Sequence, residues 1–153
     1  MTKMWSGRFA GSELDPGFEQ WQRSFPFDQR LLPEELAASR AYAEALSKAG
    51  ALTAEERALI LDGLGQVEKK VAAEPLVLET SDAEDVHHFI EQQLVALVGE
   101  AGSKLHTGRS RNEQISTDLR LFTRSKVDEI RRQLAELIGV FVARAKEIGR
   151  AHV

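Results

Sequence analysis

The chain has 153 residues, 42% hydrophobic and 29% charged, the balance of a globular protein with a core, which excludes disordered, collagen-like and low-complexity chains. It contains no cysteine, which removes disulfide scaffolds, thiol catalysis and cysteine-ligated zinc, and this leans the expected location toward the cytoplasm. No apolar run approaches the roughly 18 residues of a membrane span, and Lys3, Arg8, Glu13 and Asp15 interrupt any signal-peptide core, so neither membrane insertion nor export is expected.

The formal net charge of −4 is unevenly spread. Residues 1 to 100 carry 9 Lys and Arg against 18 Asp and Glu, a balance of −9, whereas residues 101 to 153 carry 11 against 6, a balance of +5. An anionic ligand is therefore expected at the second half.

Gly7, Gly11, Pro16, Gly17 and Pro26 break any helical period over residues 1 to 30, which reads as an irregular arm. Its aromatics Trp5, Phe9, Trp21, Phe25 and Phe27 are expected to pack onto the body. Pro33 suits a first helical turn, Glu34 and Glu35 favour the helix dipole, and Gly50 is a stop, giving a helix over about 33 to 49. Thr53 with Glu56 forms a capping-box pattern, followed by Ile60, Leu64, Val67 and Val71, so a second helix spans about 54 to 73. Ser81 with Glu84 repeats the pattern ahead of Val86, Ile90, Leu94 and Val98, placing a third helix at about 82 to 99.

From Asn112 onward, Ile115, Leu119, Phe122, Lys126, Ile130, Leu134, Leu137, Phe141, Ala145 and Ile148 cover 33 residues in 9 steps. The mean step of 3.67 predicts one long, nearly straight helix. At 1.5 Å per residue it would be roughly 55 Å long, more than the diameter, on the order of 40 Å, of a compact chain of this length. Val127, Ile138 and Val142 add a second apolar flank, so association through a helical bundle, within a longer chain or an oligomer, is expected.

Between Gly99 and Asn112 the sequence combines Gly99, Gly102 and Gly108 with Lys104, His106, Thr107, Arg109, Ser110 and Arg111. Glycines supply backbone freedom, and two guanidiniums at a helix N-terminus suit a carboxylate or phosphate. The spacing is not that of a Walker A loop. A solvated basic loop capping the helix is the plainer alternative. Upstream, Glu84, His87, His88 and Glu91 share a helix face at spacings of three and four, suited to proton transfer by His87 or His88. Glu84 and His87 also have the spacing of a di-iron Glu-x-x-His, but the chain holds no second copy. Neither a metal nor another cofactor is expected. Local surface pairing of these four residues is the plainer reading.

Four segments taken together carry a resemblance: Trp5-Ser6-Gly7-Arg8-Phe9; Ser24 with Phe27-Asp28; Ser81-Asp82-Ala83-Glu84-Asp85-Val86-His87 with Glu91; and the thirteen residues Gly102 to Gln114. In order and spacing they resemble the N-terminal part of the argininosuccinate lyases, members of the fumarase and aspartase superfamily. Two departures are Ser6, where that family usually has Gly, and Glu113, where it usually has Asp. The resemblance implies an all-α fold, with residues 1–111 a helical cap domain and 112–153 the start of a central bundle. It implies reversible β-elimination of argininosuccinate to arginine and fumarate, serving arginine biosynthesis, by a homotetramer whose active sites are shared between subunits. Residue by residue, Ser24, Arg111 and Asn112 match substrate-binding positions, Thr107 and Ser110 belong to the same block, and His87 matches an active-site histidine.

The family's next motif, with a Thr-His pair, would begin shortly after Val153, and its Gly-Ser-Ser loop with the serine base lies further on. The chain is accordingly expected to be an N-terminal third, inactive alone. Alternatives are a sister lyase such as adenylosuccinate lyase, disfavoured by the block from Lys104 to Gln114, and a crystallin-like structural protein of the same fold. Nucleic-acid binding is disfavoured by the acidic first half.

Overall fold

The computed structural model describes residues 15–151, in which every regular element is helical and none is a strand. The segments around Trp5 and Phe9 lie outside the described residues.

Short helices replace the irregular arm expected after residue 15. Helix α1, Pro16–Gln22, starts where the Asp15 side chain accepts from the Phe18 N–H at 3.0 Å and Pro16 needs no partner for a missing donor. Helix α2, Phe25–Asp28, leads through a 3-10 turn, Gln29–Leu31, into α3, Leu32–Lys48. An Asp-Pro start is a capping signal in its own right, which a count of helix breakers overlooks. Of the arm aromatics singled out in the sequence that fall within the described residues, Phe25 is buried, stacked 5.3 Å from Phe89 between ring centroids, while Trp21 and Phe27 are exposed. Their expected packing onto the body is thus corrected.

Helix α4, Ala54–Ala73, begins in the expected capping box: Thr53 N–H donates to Glu56 Oε2 at 2.9 Å and Glu56 N–H to Thr53 Oγ1 at 3.2 Å. After the single turn α5, Leu76–Glu79, comes α6, Val86–Val98, four residues shorter at its start than the sequence predicts. The Ser81–Glu84 capping box does not form. Ser81 Oγ instead accepts from the Ala83 N–H at 3.2 Å, and Asp85 becomes the cap, accepting from the His88 N–H at 2.6 Å. Two closer competitors, one upstream and one downstream, outbid the box.

Gly99 ends α6 at φ 64, ψ −139, a conformation open essentially to glycine alone. The turn α7, Glu100–Ser103, and a 3-10 turn, Lys104–His106, then precede α8, Arg111–Ala151, an unbroken helix of 41 residues.

The core is built from Leu36 and Ala43 of α3, Ile60, Leu64 and Val67 of α4, and Val86, Phe89, Ile90 and Leu94 of α6, each buried and recurring at helical spacing. Two glycines let backbones approach closely. A Cβ on Gly63 would stand 2.7 Å from Leu94 Cδ1, and one on Gly102 would stand 3.1 Å from the Val95 backbone. The Gly102 neighbours are main chain and cannot swing aside. Gly102→Ala is therefore expected to destabilise by about 1 to 3 kcal/mol through overpacking, read as a lower denaturation midpoint at unchanged slope. Gly65→Ala, where nothing lies within 4 Å, should be neutral or slightly stabilising.

The chain divides into two units after Asp118. In the second, Val127, Ile130, Leu134, Leu137, Ile138, Phe141, Val142 and Ile148 are exposed along α8. No described helix is long and apolar enough to cross a membrane.

Candidate active site

The segment before α3 is fastened to the start of α6. Arg23 donates from Nε to the Ala83 carbonyl at 3.1 Å and from Nη2 to that of Ser81 at 2.7 Å. The N–H groups of Ser24 and Phe25 both donate to the Glu84 carbonyl at 3.0 Å. Ser24 Oγ donates to Asp28 Oδ2 at 2.5 Å, and Asp28 Oδ1 accepts from the Val86 N–H at 3.0 Å. Burial pushes the Asp28 carboxyl up; the Ser24 hydroxyl pulls against it, and the Asp85 charge adds to the rise.

The glycine-bearing loop is held from α3 and α4. Tyr42 Oη donates to the Thr107 carbonyl at 2.8 Å while the Arg109 guanidinium lies 4.7 Å from the centroid of the same ring. Gly108, at φ 68, makes the turn between them. Lys104 pairs with Glu56 of the capping box, joining the loop to α4. The loop is thus an ordered shelf rather than a solvated tether.

Beneath it lies a group of buried polar side chains. Relative exposures are 1% for Glu35, 4% for His87 and 0% for Asp118. Glu35 Oε1 accepts from Ser39 Oγ at 2.6 Å and from Gln114 Nε2 at 3.2 Å, with Arg109 Nη1 at 3.8 Å. His87 Nδ1 stands 3.0 Å from Glu35 Oε2 and 3.6 Å from Asp118 Oδ2. Burial would raise the Glu35 carboxyl, but the neighbouring His87, then Ser39 and Asp118, take it down to about 2. Asp118 goes the other way, raised to about 8 by burial first and then by the Glu35 charge and hydrogen bond.

A small cavity of about 20 Å³, room for about one water, opens against this group. His87, Arg109 and Arg111 line it together with Glu91 and His106. Arg111, in the first turn of α8, is oriented by Asp85 Oδ2 at 3.3 Å from Nε, Glu91 Oε2 at 3.9 Å from Nη2, and Gln114 Oε1, which accepts from Nη1 at 3.1 Å.

Of the residues singled out in the sequence, His87, Glu91, His106, Arg109 and Arg111 meet at this cavity. Ser24 is not among the residues that line it; it is tied to the start of α6 through Asp28 and the Glu84 carbonyl. Thr107, Ser110 and Asn112 are exposed on the loop and the first turn of α8. The expected local pairing of the α6 carboxylates and histidines holds only for His88, whose Nδ1 accepts from the Glu84 N–H at 3.2 Å and whose Nε2 lies 3.0 Å from Gln92 Nε2. His87 turns inward, to Glu35 and Asp118.

Those two carboxyls, with Ser39 and Gln114, are the members that sequence reading missed. A signal was present in α3, where Glu35 and Ser39 fall on the inward arc of Leu32, Leu36, Ala43 and Leu46. In α8 the expected apolar stripe pointed elsewhere: Ile115 and Leu119 are exposed while Gln114 and Asp118 are buried, because the first turns of this helix present their polar face to the cluster.

Against known proteins, residues 7–151 match the model of a family described as lyase. Among curated proteins, the argininosuccinate lyase of Koribacter versatilis is 54% identical over 97% of this chain and 31% of its own length. That of Acidobacterium capsulatum is 53% identical, over 97% and 32%, and that of Chlamydomonas reinhardtii 44% identical, over 94% and 30%. The chain spans about a third of the length of these relatives. With the family model covering residues 7–151 of the 153, the chain belongs to this lyase family.

Proposed function

We propose that this chain supplies the N-terminal part of an argininosuccinate lyase, which releases fumarate from argininosuccinate and leaves arginine. The observation that carries the reading is the position of Arg111: in the first turn of α8, oriented by two carboxylates, beside a cavity shared with His87 and Arg109. The curated relatives at 54% and 53% identity, all named argininosuccinate lyase, supply the substrate.

The chemistry fits these residue types. β-Elimination removes a proton from the carbon beside a carboxylate, breaks the carbon–nitrogen bond and places developing negative charge on that carboxylate. Fixed donors aimed at it lower the barrier. Arg111, Asn112 and the first N–H groups of α8 serve as those donors, since such groups have no acceptor within their own helix. Ser24, Thr107 and Ser110 bind the substrate around them. His87, with Nδ1 engaged by Glu35 and Asp118, orients substrate and network; the base lies in another part of the enzyme.

In this reading residues 1–111 form the cap domain and 112–153 the first helix of a central bundle. The exposed apolar side chains of α8 become bundle contacts in a cytoplasmic homotetramer, with active sites shared between subunits. The test is release of fumarate, followed by ultraviolet absorbance, when the full-length polypeptide carrying this segment is mixed with argininosuccinate. Release supports the reading. No release from argininosuccinate, with release from adenylosuccinate, would assign a sister activity instead.

A further inference from the structure

We propose that Glu35 and Asp118 are positioning residues for the lyase site: two buried carboxyls bridged by one proton, which together fix His87 from α6 and Arg109 from the loop.

One donor or acceptor atom each of Glu35, His87 and Asp118 lies within 4.8 Å of the others, with all three side chains buried. As an ionised acceptor Asp118 finds no donor for either oxygen, and Glu35 Oε2 and His87 Nδ1 likewise lack a hydrogen bond of good geometry. Two acceptor-only carboxylates cannot satisfy each other, and each orphaned polar group in a dry site is costly. One proton on Asp118 resolves this, because the acid donates to Glu35 and the remaining negative charge is shared with the guanidinium of Arg109, 3.8 Å from Glu35 Oε1.

The surrounding charges agree. From α3, Glu34 adds a further negative field at Asp118, and from the loop, Arg109 opposes it. On α6, His87 faces both carboxyls; Asp85 and Glu91 are engaged with Arg111 of α8, and His106 lines the cavity from the 3-10 turn. Asp28 of α2 feels both Asp85 and His87. Arg109 is the one guanidinium in this group that also contacts Glu35 and Ser39, so the bridged pair ties the loop shelf to α3.

The sign follows from linkage. Asp118 keeps its proton in the folded state to about pH 8 but loses it in the unfolded chain near 3.8. Its contribution is complete below the lower value and is lost as pH rises toward the upper one, where the folding equilibrium weakens by up to about tenfold per pH unit. Asn at this position keeps a donor toward Glu35 and cannot titrate.

The experiment uses the full-length polypeptide, wild type, Asp118→Asn and Glu35→Gln, with thermal unfolding followed from weakly acidic to weakly alkaline pH and kcat and KM measured over the same range. Expected is a wild-type midpoint that falls with rising pH, a flatter Asp118→Asn curve that crosses it, and a Glu35→Gln curve shifted to lower pH. In the activity arm, kcat loses its alkaline limb in Asp118→Asn with KM changed less. The activity arm rests on the lyase reading, whereas the stability arm does not, so absent turnover with the predicted crossing would reject that reading and leave the bridged pair standing. Parallel wild-type and Asp118→Asn curves would overturn it. So would a stoichiometric divalent cation in the purified protein that disappears in Asp118→Asn, since the carboxyls would then be ligands. If Asp118→Asn fails to fold, the Glu35→Gln shift decides alone: an unmoved curve overturns the pairing.

Discussion

In the full-length enzyme, Arg111→Ala should lower kcat/KM by roughly 30- to 1000-fold, the expected loss for a charge-assisted contact of about 2 to 4 kcal/mol to charge that develops during reaction. The guanidinium is already held by Asp85, Glu91 and Gln114, so substrate meets an oriented fork and little side-chain entropy remains to be lost. Lysine should not rescue it, because a single ammonium cannot face Asp85 and Glu91 while also presenting a planar pair of donors. Stability should fall much less, since Asp85 retains its role as cap of α6. Steady-state kinetics with a parallel thermal melt separates the two effects, and unchanged kinetics would reduce Arg111 to a structural link between α6 and α8.

His87→Asn should lower turnover on a similar scale and, unlike Arg111→Ala, also destabilise by about 1 to 3 kcal/mol. The imidazole is buried with Nδ1 3.0 Å from Glu35 and 3.6 Å from Asp118, so a smaller side chain leaves a void beside two buried carboxyls. His88→Asn is the control one residue along. His88 bonds within its own helix terminus, to the Glu84 N–H and Gln92, and its loss should be felt as a weakened start of α6 with turnover close to wild type. Equal losses of turnover in both variants would mean that α6 acts only as a scaffold.

The parts of the fold legible in the sequence are those where one local signal has no rival. The Thr53–Glu56 box, Pro33 at the start of α3 and the proline-free run after Asn112 each specify their helix without help from tertiary contacts. Where signals compete, chain neighbours decide: Asp85 displaces Ser81 as the cap of α6 because its side chain meets the His88 N–H directly, and Ser81 is taken by Ala83.

The candidate site was legible in its loop and illegible beneath it. Gly102 to Gln114 stands out because glycines and guanidiniums are dense in sequence, whereas Glu35 and Asp118 are 83 residues apart and meet only through packing. A carboxylate among leucines in α3 is the sort of local conflict that marks such a site, since a lone buried charge is unfavourable unless something distant answers it. In this chain His87, Arg109 and Asp118 supply the answer.

The most direct test of the account is a crystal structure of the full-length polypeptide with fumarate bound. One fumarate carboxylate is expected at the first turn of α8, contacted by Arg111 and Asn112, with His87 still between Glu35 and Asp118. Fumarate bound elsewhere, with Arg111 still closed on Asp85 and Glu91, would contradict it.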